Sequence, residues 1–155
     1  MKSSAKTLFL AMVTVMCGLS VLTSCTADIF DNTKSLIIGT WELIEEISIR
    51  SNEGKAEDPQ VNNISGYTIT YTFNKDKTWT FVRVNPQNET ETILGTYKIE
   101  GDQLFMLSAD GELTEDDVYT IESIDKKNLT LSLTWTGTAF GKNYSDKLIL
   151  RFIKK

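Results

Sequence analysis

The sequence offers carboxylates but no histidine as candidates for catalysis. None of its 155 residues is histidine. Ser-His and Cys-His nucleophilic pairs, the commonest general base and most zinc sites are therefore excluded. The most closely spaced acids outside the loops are Glu45 and Glu46. Adjacent strand residues point to opposite faces, so these two cannot act as a pair. We expect a protein that is not an enzyme and has no cofactor.

A second group of acids lies between Asp110 and Asp117. Such a segment could attract Ca²⁺ weakly, but it lacks the spaced ligand pattern of a calcium loop. A solvated acidic loop is the simpler interpretation, and we expect no metal site.

Aromatic residues recur at alternate positions of several apolar segments, which predicts faces turned toward an interior. By the same parity Glu45 and Arg83 point inward, where a charge must be paired or serve a ligand. A β-bulge that rotates either residue outward is the alternative. The aromatic side chains could equally fill the interior themselves. The candidate lining residues of a ligand cavity are Tyr67, Tyr71, Trp79, Phe81, Arg83 and Trp135.

The elements that would position these residues are β-strands. Period-2 patterns rich in Thr, Ile, Tyr, Phe and Trp recur from Trp41 to Ile153, separated by turn signals. They predict about eight antiparallel strands joined by hairpins, and hence an all-β, up-and-down barrel. A β-sandwich is the alternative, because strand number does not show closure. The polar stretch from Arg50 to Ser65 has no helical periodicity and reads as a long loop.

The first 24 residues have the pattern of a secretory signal. Lys2 and Lys6 precede an apolar run from Leu8 to Leu22. The segment Leu22-Thr23-Ser24-Cys25 resembles the bacterial lipobox, which implies cleavage before Cys25 and acylation of its thiol. An ordinary signal with a chance cysteine, or an uncleaved anchor, is the alternative. We expect residues 1–24 as signal peptide, 25–35 as lipidated tether and 36–155 as the barrel domain.

Charge limits the expected partners. Removal of residues 1–24 takes away two lysines and no acid, so the formal charge changes from −5 to −7. An acidic domain lacks the basic patch that nucleic acid requires, and it gains nothing from anionic lipid. The acyl chains on Cys25 would then anchor the protein to the membrane alone.

The segment Gly39-Thr40-Trp41 resembles the start of the first strand in lipocalins and fatty-acid-binding proteins, which are calycin-type β-barrels. In those families the Trp closes one end of the barrel, and a basic residue of the last strand often packs against it. The resemblance implies these structural roles for Gly39, Trp41 and Arg151. The chain lacks the Thr-Asp motif of typical lipocalins before its last strand pair, and Arg50 to Ser65 has no counterpart of the lid helices.

With its lipobox, the chain looks like the lipocalin-like lipoproteins of Gram-negative bacteria. The resemblance implies a protein of the cell envelope, anchored by lipid at the outer membrane and facing the periplasm or the cell surface. We expect a binding protein for a small apolar or amphipathic ligand. The alternative is an interaction module with a filled barrel, whose loops contact an envelope partner.

Overall fold

A computed structural model describes residues 32–109, 111, 118–139 and 141–155. The chain divides into two compact units, Met1–Asn32 and Thr33–Lys155, and the description below concerns the second. The predicted signal peptide, Cys25, most of the predicted tether and nearly all of the acidic segment Asp110–Asp117 lie outside the described residues. Within the described ranges, no helix is long and apolar enough to span a membrane.

Within the described residues, ten strands follow a helical turn at residues 32–36. The alternating patterns described above produce most of them, because β-branched and aromatic residues suit a half-buried pleated surface. The strands are β1 (Gly39–Asn52), β2 (Lys55–Ala56), β3 (Gln60–Asn62), β4 (Thr68–Phe73), β5 (Thr78–Val84), β6 (Thr90–Glu100), β7 (Gln103–Ser108), β8 (Val118–Ile124), β9 (Asn128–Ala139) and β10 (Lys142–Lys154).

The sheet closes on itself. From β4 to β10 each strand pairs with its sequence neighbour. Strand β1 closes the sheet, because it pairs with β4 from Gly39↔Phe73 to Glu42↔Thr70 and with β10 from Trp41↔Lys154 to Asn52↔Tyr144. Eight long antiparallel strands therefore form a closed barrel, which confirms the predicted fold and rules out the sandwich. Closure removes the exposed edges that an open sheet of this length would present.

The polar stretch from Arg50 to Ser65 is a hairpin rather than the predicted long loop. Strand β1 runs on to Asn52, and β2 and β3 return along the same edge of β1. Glu53 and Gly54 form the two-residue turn, with φ angles of 50° and 78°. Positive φ at both positions is the conformation of a type I′ turn, which matches the twist of the flanking strands. The low apolar content of this segment concealed its strand character.

One end of the barrel is filled by apolar side chains. Seven of them are essentially inaccessible: Trp41, Phe73, Phe152, Ile37, Leu104, Leu129 and Leu131. They come from the start of β1, from the ends of β4 and β10, and from the hairpins that meet at this end. Burying each of them stabilises the fold by roughly 1.5–3 kcal/mol. The barrel therefore has a packed end around Trp41.

A β-bulge at Ile44 changes the parity of β1. Leu43 pairs with Phe152 and Glu45 with Arg151, so Ile44 has no partner of its own. Beyond the bulge Glu46 lies opposite Leu150, on the inner face. Glu45 therefore faces outward, as the bulge alternative predicted, and the inward carboxylate is Glu46. An extra residue in one strand turns each later side chain to the opposite face.

Candidate ligand-binding cavity

A cavity of about 580 Å³ lies toward the end of the barrel opposite Trp41. Strand register places inner-face residues of four strands around it. Among its lining residues are Ser48, Arg50, Gln60, Asn62, Trp135, Asp146 and Leu148. Ser48 and Arg50 lie seven and nine residues beyond Trp41, which is roughly 23–30 Å along an extended strand at about 3.3 Å per residue. The cavity is thus well separated from the packed end.

A hydrogen-bonded cluster occupies the β1–β3 wall of this cavity. The side-chain amide of Asn62 donates to Glu46 Oε1 at 2.7 Å and to Ser48 Oγ at 2.9 Å. Glu46 and Asn62 are directly opposite each other in the ladder, which orients the amide toward the carboxylate. An amide donor stabilises a carboxylate without neutralising its charge. The inner wall therefore carries an anionic group held in place by a neutral one.

An ion pair marks the rim. Arg50 and Asp146 face each other across β1 and β10, with Nε 2.9 Å from Oδ1. The hydrogen bond and charge of Asp146, with a smaller contribution from Glu57, raise the pKa of Arg50. Glu57 itself accepts a hydrogen bond of 2.6 Å from the amide of Asn52. The guanidinium is thus already engaged by acidic neighbours.

Three of the predicted lining residues lie in the tightly packed part of the barrel. Tyr71 makes edge-on contacts with Phe81 and Phe152, at centroid distances of 5.2 and 5.3 Å, and a stacked contact with Trp79 at 6.4 Å. Trp79 is 7% exposed and donates from Nε1 to the Leu107 carbonyl at 3.2 Å. Burial raises the pKa of Tyr71, and Tyr119 and Glu46 raise it further. These aromatic rings pack against one another, and none of the three residues lines the cavity.

The other three predicted residues lie nearer the open end. Trp135 is half-buried and lines the cavity directly. Tyr67 is 45% exposed. Arg83 follows the inward parity of β5, but it is exposed and forms a 2.8 Å ion pair with Glu91, its ladder partner on β6. No bulge is needed to expose Arg83, because it lies at the end of its strand.

The basic residue over Trp41 is Lys154, and the role predicted for Arg151 is wrong. Lys154 Nζ lies 4.9 Å from the ring centroid of Trp41. Arg151 lies on the outer face, with Nη1 2.6 Å from Glu45 Oε2. Strand parity explains the difference, because Lys154 shares the inner face with Phe152 whereas Arg151 does not. Gly39 is the ladder partner of Phe73 beside this site.

Sequence reasoning missed Glu46, Ser48 and Asn62 as inward residues. The bulge displaced the parity of β1 beyond Leu43, and β3 was not predicted as a strand. The dipeptide Glu53-Gly54 was the available signal for a hairpin. The turn alone would pair Glu46 with Val61, and a shift of one residue between β2 and β3 brings Asn62 opposite Glu46. Among the described residues, no group of three metal-ligating side chains converges.

The closed wall, the packed end around Trp41 and the cavity at the other end define a small β-barrel of the kind that encloses a ligand. The sequence of residues 37–131 matches the family model described as lipocalin-like domain. The chain belongs to this lipocalin-like family. Members of the family are generally binding proteins without enzyme activity, and the fold commonly takes small hydrophobic ligands. No curated protein matches the sequence.

The solved structures to which the chain is similar are distant in sequence. A lipocalin-like protein from Bacteroides uniformis is 13% identical, with a TM-score of 0.49, over 77% of this chain and 99% of that one. A protein from Bacteroides eggerthii is 15% identical, also with a TM-score of 0.49, over 76% and 98%. Apocrustacyanin C2 is 14% identical with a TM-score of 0.50, over 83% of this chain and 66% of its own. The last similarity concerns the fold alone.

Proposed function

We propose that this protein is a lipid-anchored, non-enzymatic binding protein that holds a small amphipathic ligand inside its barrel. The observation that carries the proposal is the cavity of about 580 Å³ on the inner faces of β1, β3, β9 and β10. Ligand sites of proteins commonly have volumes of about 300–1,000 Å³. The cavity is therefore large enough for a compact organic molecule.

The lining favours an amphipathic ligand over a purely apolar one. Trp135 and Leu148 supply apolar surface, whereas Ser48 and Asn62 present a hydroxyl and an amide on the opposite wall. Polar groups that lose water without gaining a partner cost free energy. A ligand with a polar head and an apolar body would satisfy both walls.

Anchoring is proposed from the sequence. The order of basic residues, apolar run and Leu22-Thr23-Ser24-Cys25 supports acylation at Cys25. The acyl chains would hold the protein at the outer membrane of a Gram-negative cell envelope, with residues 25–35 as a tether to the barrel. Two or three chains suffice for stable attachment, since each buried CH₂ contributes about 0.8 kcal/mol.

Binding can be tested with the full chain carrying Cys25→Ser, which removes the acyl acceptor. N-phenyl-1-naphthylamine, a neutral fluorescent probe, should bind saturably with one site per barrel. Leu148→Trp should weaken this binding, because the larger side chain occupies part of the apolar wall of the cavity beside Trp135. Thr134→Trp is the matched control, since Thr134 is exposed on the neighbouring strand and its Trp should leave binding unchanged. Absence of saturable binding to the Cys25→Ser chain would refute the proposal.

Anchoring has a separate test in cells fed labelled palmitate. The natural chain should incorporate the label and fractionate with the outer membrane. A Cys25→Ala chain that is still cleaved and still labelled would show that Cys25 is not the acylated residue.

A filled barrel acting as an interaction module is the second candidate. The observation in its favour is the dense packing around Trp41, Phe73 and Phe152. Native mass spectrometry separates the two, because a binding protein purified gently should carry a bound small molecule, and Leu148→Trp should reduce the bound fraction. A protein whose native mass shows no bound small molecule, and which does not bind the neutral probe, would favour the interaction module.

A further inference from the structure

We propose that the cavity selects a ligand with a cationic head group, such as an alkyl amine, over a carboxylate of the same length. The inference rests on the proposed binding function and specifies its ligand class. It follows from how the charged groups around the cavity are already paired.

The two cations of the lining are both engaged by carboxylates. Arg50 forms its 2.9 Å ion pair with Asp146. Lys147 forms a 2.7 Å ion pair with Glu122, which also accepts a 2.6 Å hydrogen bond from Ser132. In the ladder Lys147 lies opposite Thr134 and Ile49, on the outer face, so its ammonium is directed away from the interior. A fatty-acid carboxylate entering the cavity would have to compete with Asp146 and Glu57 for Arg50.

The carboxylates outnumber the cations. Three acids line the cavity, namely Glu57, Asp58 and Asp146, against the two cations Arg50 and Lys147. Glu46 adds a fourth carboxylate behind Asn62, on the inner face. Glu46 receives its hydrogen bond from the neutral amide of Asn62, which does not compensate its negative charge. The potential inside the cavity is therefore negative.

A negative potential in a concave site attracts cations and repels anions. Trp135 and Leu148 provide the surface for an apolar chain on the other side of the same cavity. A ligand with its ammonium head near Asn62 and Glu46 and its apolar chain against Trp135 would contact both the polar and the apolar wall of the cavity.

The test uses three probes with the same ten-carbon chain and different heads: decylamine, decanoate and decanol. Each is titrated calorimetrically into the Cys25→Ser full chain near neutral pH. We expect decylamine to bind roughly tenfold or more tightly than decanoate, with decanol between them. Raising the salt concentration should weaken decylamine binding and leave decanol binding unchanged, because only the former depends on charge.

Two adjacent glutamates supply a matched pair of variants. Glu46→Gln removes the inward charge and should weaken decylamine binding roughly three- to tenfold, while decanol binding stays within about twofold. Glu45→Gln removes an outward charge one residue away and should change neither. Asp58→Asn removes another carboxylate of the cavity lining and is a second variant in case Glu46→Gln disturbs the fold, which circular dichroism would show.

The outcomes separate the two levels of the proposal. Decanol binding combined with equal or tighter binding of decanoate would overturn the cationic preference and leave the binding function standing. Failure of all three probes to bind would overturn the binding function itself. Equal effects of Glu45→Gln and Glu46→Gln would likewise contradict an inward negative site.

Discussion

Lys154 lies directly across the β1–β10 ladder from Trp41, with its ammonium over the indole ring. Lys154 Nζ also donates a 3.0 Å hydrogen bond to the Leu36 carbonyl, and Trp41 Nε1 donates a 2.7 Å bond to the Ile37 carbonyl. A side chain at Gly39, where φ is +130°, would place Cβ only 2.7 Å from Lys154 Cε. One lysine thus joins the first strand, the last strand and the turn before the barrel.

Lys154→Ala should lower the free energy of unfolding by about 1–2 kcal/mol. The estimate combines a cation–π contact of roughly 0.5–1 kcal/mol with one hydrogen bond to a partly buried carbonyl. Arg151→Ala is the control, because the Arg151–Glu45 pair is solvent-exposed and should contribute less than about 1 kcal/mol. Urea unfolding of both variants measures the difference. A larger loss for Arg151→Ala would contradict the assignment of Lys154.

Gly95→Ala should destabilise the barrel by about 1–3 kcal/mol or more. A Cβ at Gly95 would lie 2.5 Å from Trp79 Nε1 and 2.0 Å from the Leu107 carbonyl oxygen, so the indole ring and the backbone would both have to move. Thermal unfolding and the near-ultraviolet signal of Trp79 would report the change. Leu94→Ala, at an exposed neighbouring position, should stay within about 0.5 kcal/mol of the natural chain.

Stability should fall as the pH rises above about 10. Burial raises the pKa of Tyr71, so above the ordinary phenol pKa the unfolded chain loses this proton while the folded chain keeps it. Ionisation of the unfolded chain then favours unfolding, by at most about 1.4 kcal/mol per pH unit. Tyr71→Phe removes this titrating group, so the free energy of unfolding of the variant should decline less steeply with rising pH. Urea midpoints of the natural chain and the variant, measured from about pH 7 to 11, test this prediction. Equal declines of the two midpoints with pH would contradict it.

Stability should also fall on acidification, through aspartates that cap hairpin turns. Asp125 accepts bonds of 2.6 and 2.8 Å from the backbone N–H groups of Lys127 and Asn128, which lower its pKa. Hydrogen bonds from Thr78 lower the pKa of Asp76 in the same way. A depressed folded-state pKa contributes stability that is present above the ordinary value near 4 and is lost below it.

The double variant Asp76→Asn, Asp125→Asn keeps acceptor oxygens in both turns but cannot titrate. Its urea midpoint should decline less than that of the natural chain between about pH 5 and pH 2. Identical declines would show that other groups govern the acid response.

Local sequence alone determined most of the strands and their hairpin order. The alternation of Tyr67 to Phe73 and of Leu129 to Thr136 predicted β4 and β9 to within a few residues, because a half-buried strand imposes its period on the sequence. The resemblance of Gly39-Thr40-Trp41 to the first strand of lipocalins marked the start of β1 and implied that Trp41 closes one end. These features depend on contacts within a strand or across one turn.

Only the tertiary structure determined which side chains face the interior of the barrel. The bulge at Ile44 exists because β1 must match the register of β10, whose partner residues lie about a hundred positions away, and it exchanges the faces of Glu45 and Glu46. Closure by the same pairing brings Trp135, Asp146 and Ser48 around one cavity. Lys154 likewise replaces Arg151 over Trp41 through ladder parity. The register between strands that are distant in the sequence cannot be read from a local pattern. The cavity and the charges around it could therefore be identified only in the folded barrel.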